Sequence, residues 1–208
     1  MRNLIFIFLS LFFTSQLFSC SKPGDLTIQR AVKAYQKQNY EEALSLFKDA
    51  LKEESNYSPE TLYNFITNIY LRQDDLESAV VYQEKIVQLR DDCRNLLSLG
   101  MNYHLLGRDE ESENTYKKAA QLFPENAEPY ASLGSLYLGQ EKYQLALDNL
   151  QKAAKIEEKI AVIHGNLALA YAGLGDEENT LEELKKAKEL KCENYEEFQA
   201  RAEEFFQK

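Results

Sequence analysis

Residues 96–112 read LLSLGMNYHLLGRDEES, residues 130–146 read YASLGSLYLGQEKYQLA, and residues 164–180 read HGNLALAYAGLGDEENT. Laid over one another, the three segments share a phase. A large side chain is followed three positions later by Leu, then by a small residue, then by Tyr, and nine positions beyond that Tyr by another small residue. The sets are Leu96, Leu99, Gly100, Tyr103 and Ser112; Tyr130, Leu133, Gly134, Tyr137 and Ala146; and His164, Leu167, Ala168, Tyr171 and Thr180. The tyrosines Tyr103, Tyr137 and Tyr171 stand 34 residues apart. A fourth set, Tyr63, Ile66, Thr67, Tyr70 and Ala79, precedes them by 33 residues, and a weaker one, Ala31, Ala34, Tyr40, Ala43, Phe47 and Ala50, lies 36 residues earlier still. Spacings of three and four within each set predict helices. A period of this length marks a unit that cannot bury its apolar face alone and must stack on its neighbours.

Composition agrees. The chain has 208 residues, 44% of them hydrophobic, with 24 Lys+Arg against 34 Asp+Glu and a formal charge of -10. It is too apolar for a disordered chain and too acidic for a general nucleic-acid binder, so no nucleic-acid partner is expected. Eight glycines and four prolines argue against a many-turned β architecture.

The phased residues resemble tetratricopeptide repeats. The resemblance implies an all-α fold, a superhelical solenoid of about five helix-turn-helix repeats plus a C-terminal capping helix. The expected units are residues 24–57, 60–92, 93–126, 127–160 and 161–194. In such a unit Gly100, Gly134, Ala168, Ala43, Ala79 and Ala146 stand where the two antiparallel helices come closest, and any larger side chain would push them apart. Tyr103, Tyr137 and Tyr171 fill the gap towards the next unit. Ala50, Ile86, Ala119, Ala153 and Ala187 occupy a further family position near the end of each second helix, and Pro124 the helix-ending proline. Polar turns are expected at Lys37-Gln38-Asn39, Gln73-Asp74-Asp75, Gly107-Arg108-Asp109, Gly139-Gln140-Glu141 and Gly175-Asp176. Residues 195–208, with Tyr195, Phe198, Ala202 and Phe205 in helical phase, are expected to cover the open end.

The amino terminus is of another kind. Residues 1–19 hold one charge, Arg2, ahead of an uncharged run rich in Leu, Ile and Phe, which is the build of a secretory signal. The segment Leu17-Phe18-Ser19-Cys20 resembles a bacterial lipobox, although Phe18 is bulkier than the residue usual there. That resemblance implies cleavage before Cys20 and a diacylglyceryl group on its thiol. An uncleaved anchor and an ordinary cleaved signal are the alternatives. Cleavage would leave 23 basic and 34 acidic residues, a charge of -11, so membrane residence would rest on acyl chains rather than on charge. Residues 20–25 are expected to be a short lipidated tether. Ser21, where some inner-membrane lipoproteins carry Asp, favours an outer membrane facing the periplasm.

Nothing in the sequence assembles a catalyst. His104 and His164 lie in different units without a companion cluster, and no Gly-rich phosphate loop occurs, so no metal, cofactor or small-molecule substrate is expected. The acidic runs Asp109-Glu110-Glu111 and Glu177-Glu178 open second helices, where carboxylates suit the macrodipole. Cys93 and Cys192 are too many helices apart for a disulfide and read as partly buried small hydrophobes.

In tetratricopeptide proteins the first helix of each unit lines a concave groove that holds a peptide or helix. Transferred by phase, the groove positions are Asn64, Asn68 and Arg72, then Arg94, Met101 and His104, then Ser132, Ser135 and Leu138. Two asparagines one turn apart are suited to clamping a peptide backbone, and Arg72 and Arg94 to receiving a carboxylate. Ile28 and Val32 stand where chaperone-binding members carry polar residues of a carboxylate clamp, so that ligand is not expected. The reading is a non-enzymatic interaction scaffold tethered to a bacterial envelope membrane, in layout like small lipoproteins that help assemble outer-membrane β-barrels or type IV pili. A regulatory or assembly subunit of an envelope enzyme, such as a cell-wall hydrolase, is the alternative. Palmitate labelling of the full chain is expected to disappear in Cys20→Ala; retained label would place the anchor elsewhere.

Overall fold

The computed structural model describes residues 21–207. The signal, the lipobox and Cys20 lie outside the described residues. Among these, eleven helices and no strands are found. They are α1 (Pro23–Gln36), α2 (Tyr40–Ala50), α3 (Pro59–Arg72) and α4 (Leu76–Leu89) in a first compact unit, which ends at Leu89. A second compact unit begins at Arg90 and holds α5 (Cys93–Leu105), α6 (Asp109–Leu122), α7 (Ala127–Gly139), α8 (Tyr143–Ile156), α9 (Ala161–Gly173), α10 (Glu177–Glu189) and α11 (Tyr195–Phe206).

Consecutive helices pair as α1 with α2, α3 with α4, α5 with α6, α7 with α8 and α9 with α10. These pairs are the five repeats. Each is closed by residues too small to hold the helices apart: Ala43, Ala79, Ser112 and Ala146 are wholly buried, and Thr180 is 1% exposed. The opposing position is equally tight, since a Cβ on Gly100 would overlap the Tyr116 ring and one on Gly134 would overlap Leu150. Ala50, Ile86, Ala119, Ala153 and Ala187 are also buried, which gives each phased position the same structural job in every repeat. Stacking continues within each unit, α2 on α3 in the first, and α6 on α7 and α8 on α9 in the second.

The turns between paired helices are also identical in kind. Gln38, Asp74, Gly107, Glu141 and Gly175 have φ of 62°, 59°, 71°, 57° and 78°. The residue after each returns its N–H to a carbonyl five positions back: Asn39 to Ala34 (3.0 Å), Asp75 to Tyr70 (2.9 Å), Arg108 to Tyr103 (2.9 Å), Lys142 to Tyr137 (2.9 Å) and Asp176 to Tyr171 (3.0 Å). This bond satisfies a carbonyl at each helix end that would otherwise lack a partner. Three of the five left-handed residues carry a side chain. In the fourth turn Gly139 is the last residue of α7 and Glu141 takes the left-handed conformation, so the glycine there is not the residue that needs to be one.

Starts are fixed by side-chain caps. Ser58 Oγ accepts from the Thr61 N–H (3.2 Å), Asp92 from Asn95 (2.9 Å), Asn126 from Glu128 (2.8 Å) and Asp176 from Asn179 (3.1 Å). The first helix is held differently. Asp25 is buried and its carboxylate accepts from the Asn56 N–H (2.8 Å), Asn56 Nδ2 (2.6 Å), Ser55 Oγ (3.0 Å) and the Lys22 N–H (3.0 Å). The Asn56 N–H foremost, with the other donors, holds the Asp25 carboxyl below the usual carboxylate range. The expected tether is corrected by this network: α1 begins at Pro23, so residues 23–25 belong to the folded body and only Ser21 and Lys22 separate it from position 20.

At the far end α11 packs on α9 and α10, with Phe198 seated where α9 carries Gly165. Cys93 and Cys192 are half-buried and unpaired; burial pushes the Cys93 thiol up. No helix of the described residues is long and apolar enough to cross a membrane.

Two substitutions test this geometry in opposite directions. Gly134→Val forces Leu150 aside and should cost about 2 kcal/mol in urea unfolding. Glu141→Gly relieves a left-handed side chain and should add about 1 kcal/mol.

Candidate functional site

Six of the nine predicted groove residues gather at two clefts, one in each unit. In the first unit a cleft of about 310 Å³ is lined by Tyr35 of α1 and by Thr61, Asn64, Phe65 and Asn68 of α3. The two asparagines are exposed and one turn apart, as their spacing requires. Their hydrogen-bonding groups are already partly engaged. Asn64 Nδ2 donates to the Glu60 carbonyl (2.9 Å), while Asn68 Oδ1 accepts from Tyr35 Oη (2.8 Å) and from Arg72 Nε (3.0 Å). Arg72 Nε also lies 3.2 Å from Tyr35 Oη. The Asn68 carboxamide is therefore oriented by α1, with Nδ2 left to face the cleft, and Asn64 keeps its Oδ1 for an incoming N–H. The side chain that orients this pair, Tyr35, was not among the sequence candidates. Its position in the least regular repeat hid it.

In the second unit a cleft of about 230 Å³ is lined by Met101 and His104 of α5 and by Ser132 and Ser135 of α7, over a floor of Tyr116, Ala131 and Leu136. Four candidates from two successive repeats thus converge. Met101 is half exposed, and Tyr116 lies beneath because Gly100 leaves room for its ring. His104 Nδ1 is 2.8 Å from Asp109 Oδ1 at the start of α6, and that hydrogen bond lowers the Asp109 carboxyl. The result is a small apolar floor with hydroxyls and an imidazole at its rim. It suits one apolar side chain whose backbone is held at the edges.

Arg72, Arg94 and Leu138 are placed elsewhere, Arg72 bonded to Asn68 and Tyr35 outside the lining of the first cleft. Arg94 is exposed near the start of α5, about two turns before Met101, and lines neither cleft. Leu138 is half-buried against the cluster on which Phe205 of α11 also packs, and the two line one cavity between α7 and α11. Ile28, which stands at a place of the carboxylate clamp, is 2% exposed and belongs to the core of the first unit, because α1 turns that side towards α2 and α3.

His164 fills the large first position of its repeat, where Tyr130 stands in the repeat before. It is 4% exposed, with Nδ1 2.6 Å from Glu183 Oε2 and Nε2 2.6 Å from the Glu158 carbonyl. Lys186 Nζ lies 2.8 Å from Glu183 Oε1 and 2.7 Å from Glu182 Oε1, which raises the Lys186 ammonium. This chain ties α9, α10 and the preceding turn together in the last repeat. His164 and Glu183 face the interior and Lys186 and Glu182 the surface, and no group of three or more His, Cys, Asp or Glu suited to a metal is present among the described residues.

The tetratricopeptide repeat profile matches residues 94–126, 127–160 and 161–194, and that of the coatomer epsilon subunit matches residues 13–99. Among solved structures, a tetratricopeptide repeat protein from Parabacteroides merdae aligns with a TM-score of 0.76 at 19% identity, covering 88% of this chain and 73% of that one. MamA aligns with a TM-score of 0.67 at 19% identity, covering 83% and 94%. YrrB, described as a TPR protein with an unusual peptide-binding site, aligns with a TM-score of 0.61 at 20% identity, covering 79% and 84%. Protein O-mannosyl-transferase TMTC2 of Homo sapiens is 36% identical over 95 residues and Protein CTR9 homolog of Arabidopsis thaliana 27% identical over 110. The chain spans about a tenth of the length of these curated relatives, 11% and 10% respectively.

His164→Phe keeps a ring but leaves the buried Glu183 Oε2 without its partner while Lys186 still holds Oε1, and should cost about 3 kcal/mol; Glu183→Leu added to it should recover most of that loss. Equal losses from the two changes, simply adding, would show that the pair is not coupled.

Proposed function

We propose that this chain, whose residues 94–194 are tetratricopeptide repeats, is a non-enzymatic scaffold that holds a protein partner by short peptide or helical segments in its two clefts. The observation that carries the reading is the convergence of Met101, His104, Ser132 and Ser135 on one small apolar recess. Those residues come from two repeats, share no hydrogen bond with one another, and leave a floor that one inserted side chain would cover. The first unit adds a polar recess in which Asn68 and Asn64 present one donor and one acceptor to an extended backbone. The peptide-binding site for which YrrB is described supports the same use of this fold.

The finer reading is that the scaffold works at a bacterial envelope membrane, held by lipid on Cys20 and facing the periplasm of an outer membrane. Its support is the residue pattern up to Cys20 and the very short segment, Ser21 and Lys22, before the folded body. Lipid at that point would keep the first unit near the bilayer surface, where envelope assemblies are built.

A photocrosslinking residue at Ser135 or Asn64 of the full chain in cells should capture a discrete protein, identified by mass spectrometry. Met101→Glu, for the Ser135 probe, and Arg72→Glu, for the Asn64 probe, should reduce that capture at least tenfold with helicity unchanged. Undiminished capture in both variants would remove the clefts from the function. A captured cell-wall hydrolase would favour the enzyme-subunit role, and a barrel-assembly or pilus protein the scaffold role.

A further inference from the structure

We infer that the open groove between α10 and α11 is a self-association site, in which a second copy of this chain docks about a two-fold axis. The groove encloses about 450 Å³, and Leu181 and Leu184 of α10 with Tyr195, Ala202 and Phe206 of α11 form its apolar lining. Leu181 is 60% exposed and Phe206 38%. Earlier in this unit each first helix is backed by a second helix of its own repeat. α11 takes the place of a first helix, and its flank towards Leu181 is an open groove. An apolar strip of this kind at the end of a stack is a contact waiting for a surface of matching shape.

The charges on the rim identify that surface. α10 and α11 are joined by a short turn and run in opposite directions, with Lys188 Nζ 5.1 Å from the centre of the Tyr195 ring. Lys185 and Lys188 therefore mark one end of the groove, and Glu177, with Glu203 near Phe206, the other. Rotation by half a turn about the groove's middle exchanges the ends. The lysines of one copy then meet the glutamates of the other at both ends, while Leu181 and Leu184 face their own counterparts. This is the self-complementarity that an isologous contact requires. The rim carries two lysines and two glutamates on a chain of net charge -10, so two copies meet here with less repulsion than over the acidic body as a whole.

Two differently tagged full-length copies, expressed together, provide the test, read as the fraction of one tag recovered with the other. Wild-type copies should co-purify, and Leu181→Asp in both should lower recovery at least tenfold with the helical circular dichroism signal kept. Lys185→Glu with Lys188→Glu in both copies should give the same loss, as should Glu177→Lys with Glu203→Lys in both. Pairing the first double variant with the second rebuilds opposite charges at both ends and should restore recovery to near wild type. Met101→Glu, in the other cleft, should leave it unchanged. Absence of wild-type co-recovery, or no gain from the mixed pair, would overturn the two-fold site and leave the groove to a different protein.

Discussion

The two helices of every repeat approach so closely that nothing larger than a threonine fits at their crossing. Ala43, Ala79, Ser112, Ala146 and Thr180 hold that position from one side, all at 0–1% exposure. Facing them, Gly100 and Gly134 admit Tyr116 and Leu150 into space a Cβ would fill. Tyr116 and Leu150, seated against those glycines inside their own pairs, then meet Leu133, Leu136 and Leu167 in one core that runs from repeat to repeat. The clefts are by-products of the same spacing. Successive first helices stand apart by the width of the second helix wedged behind them, and Met101, His104, Ser132 and Ser135 line the gap.

The repeat is enforced by backbone as much as by packing. Five turns place a left-handed residue and a returning N–H at the same phase, although only Gly107 and Gly175 are glycines. The turn is imposed by the helix pair it connects, and Gln38, Asp74 and Glu141 accept the conformational strain that results. A sixth instance at Lys191, with the Cys192 N–H returning to the Ala187 carbonyl at 2.9 Å, brings α11 back onto α9 in the manner of a further first helix. That last turn sets up the exposed groove between α10 and α11.

Much of the candidate site could be read in advance because groove positions follow from phase. Once Tyr103 and Tyr137 fix the register, Met101, His104, Ser132 and Ser135 must share a face, and they do share a cleft. What phase does not carry is the orientation of polar groups across repeats. The Tyr35–Asn68–Arg72 arrangement joins residues 33 and 37 positions apart through side-chain rotamers that no periodicity encodes. The same is true of His164 with Glu183, where a ring at an aromatic position buries a carboxylate instead of contributing only bulk.

The order of small and large residues in the sequence determined the helix pairs, their number and the face each presents, because steric exclusion at a helix crossing depends on residue size at fixed spacing and on little else. The tertiary structure decided the rest. It drew residues 23–25 into the first helix through four hydrogen bonds to the Asp25 carboxylate, and it packed Leu138 and Phe205 against one cluster. It left Arg94 outside the clefts and opened an apolar groove at the end of the array. Each of these depends on which distant groups meet in space, and that is settled only when the whole stack has closed.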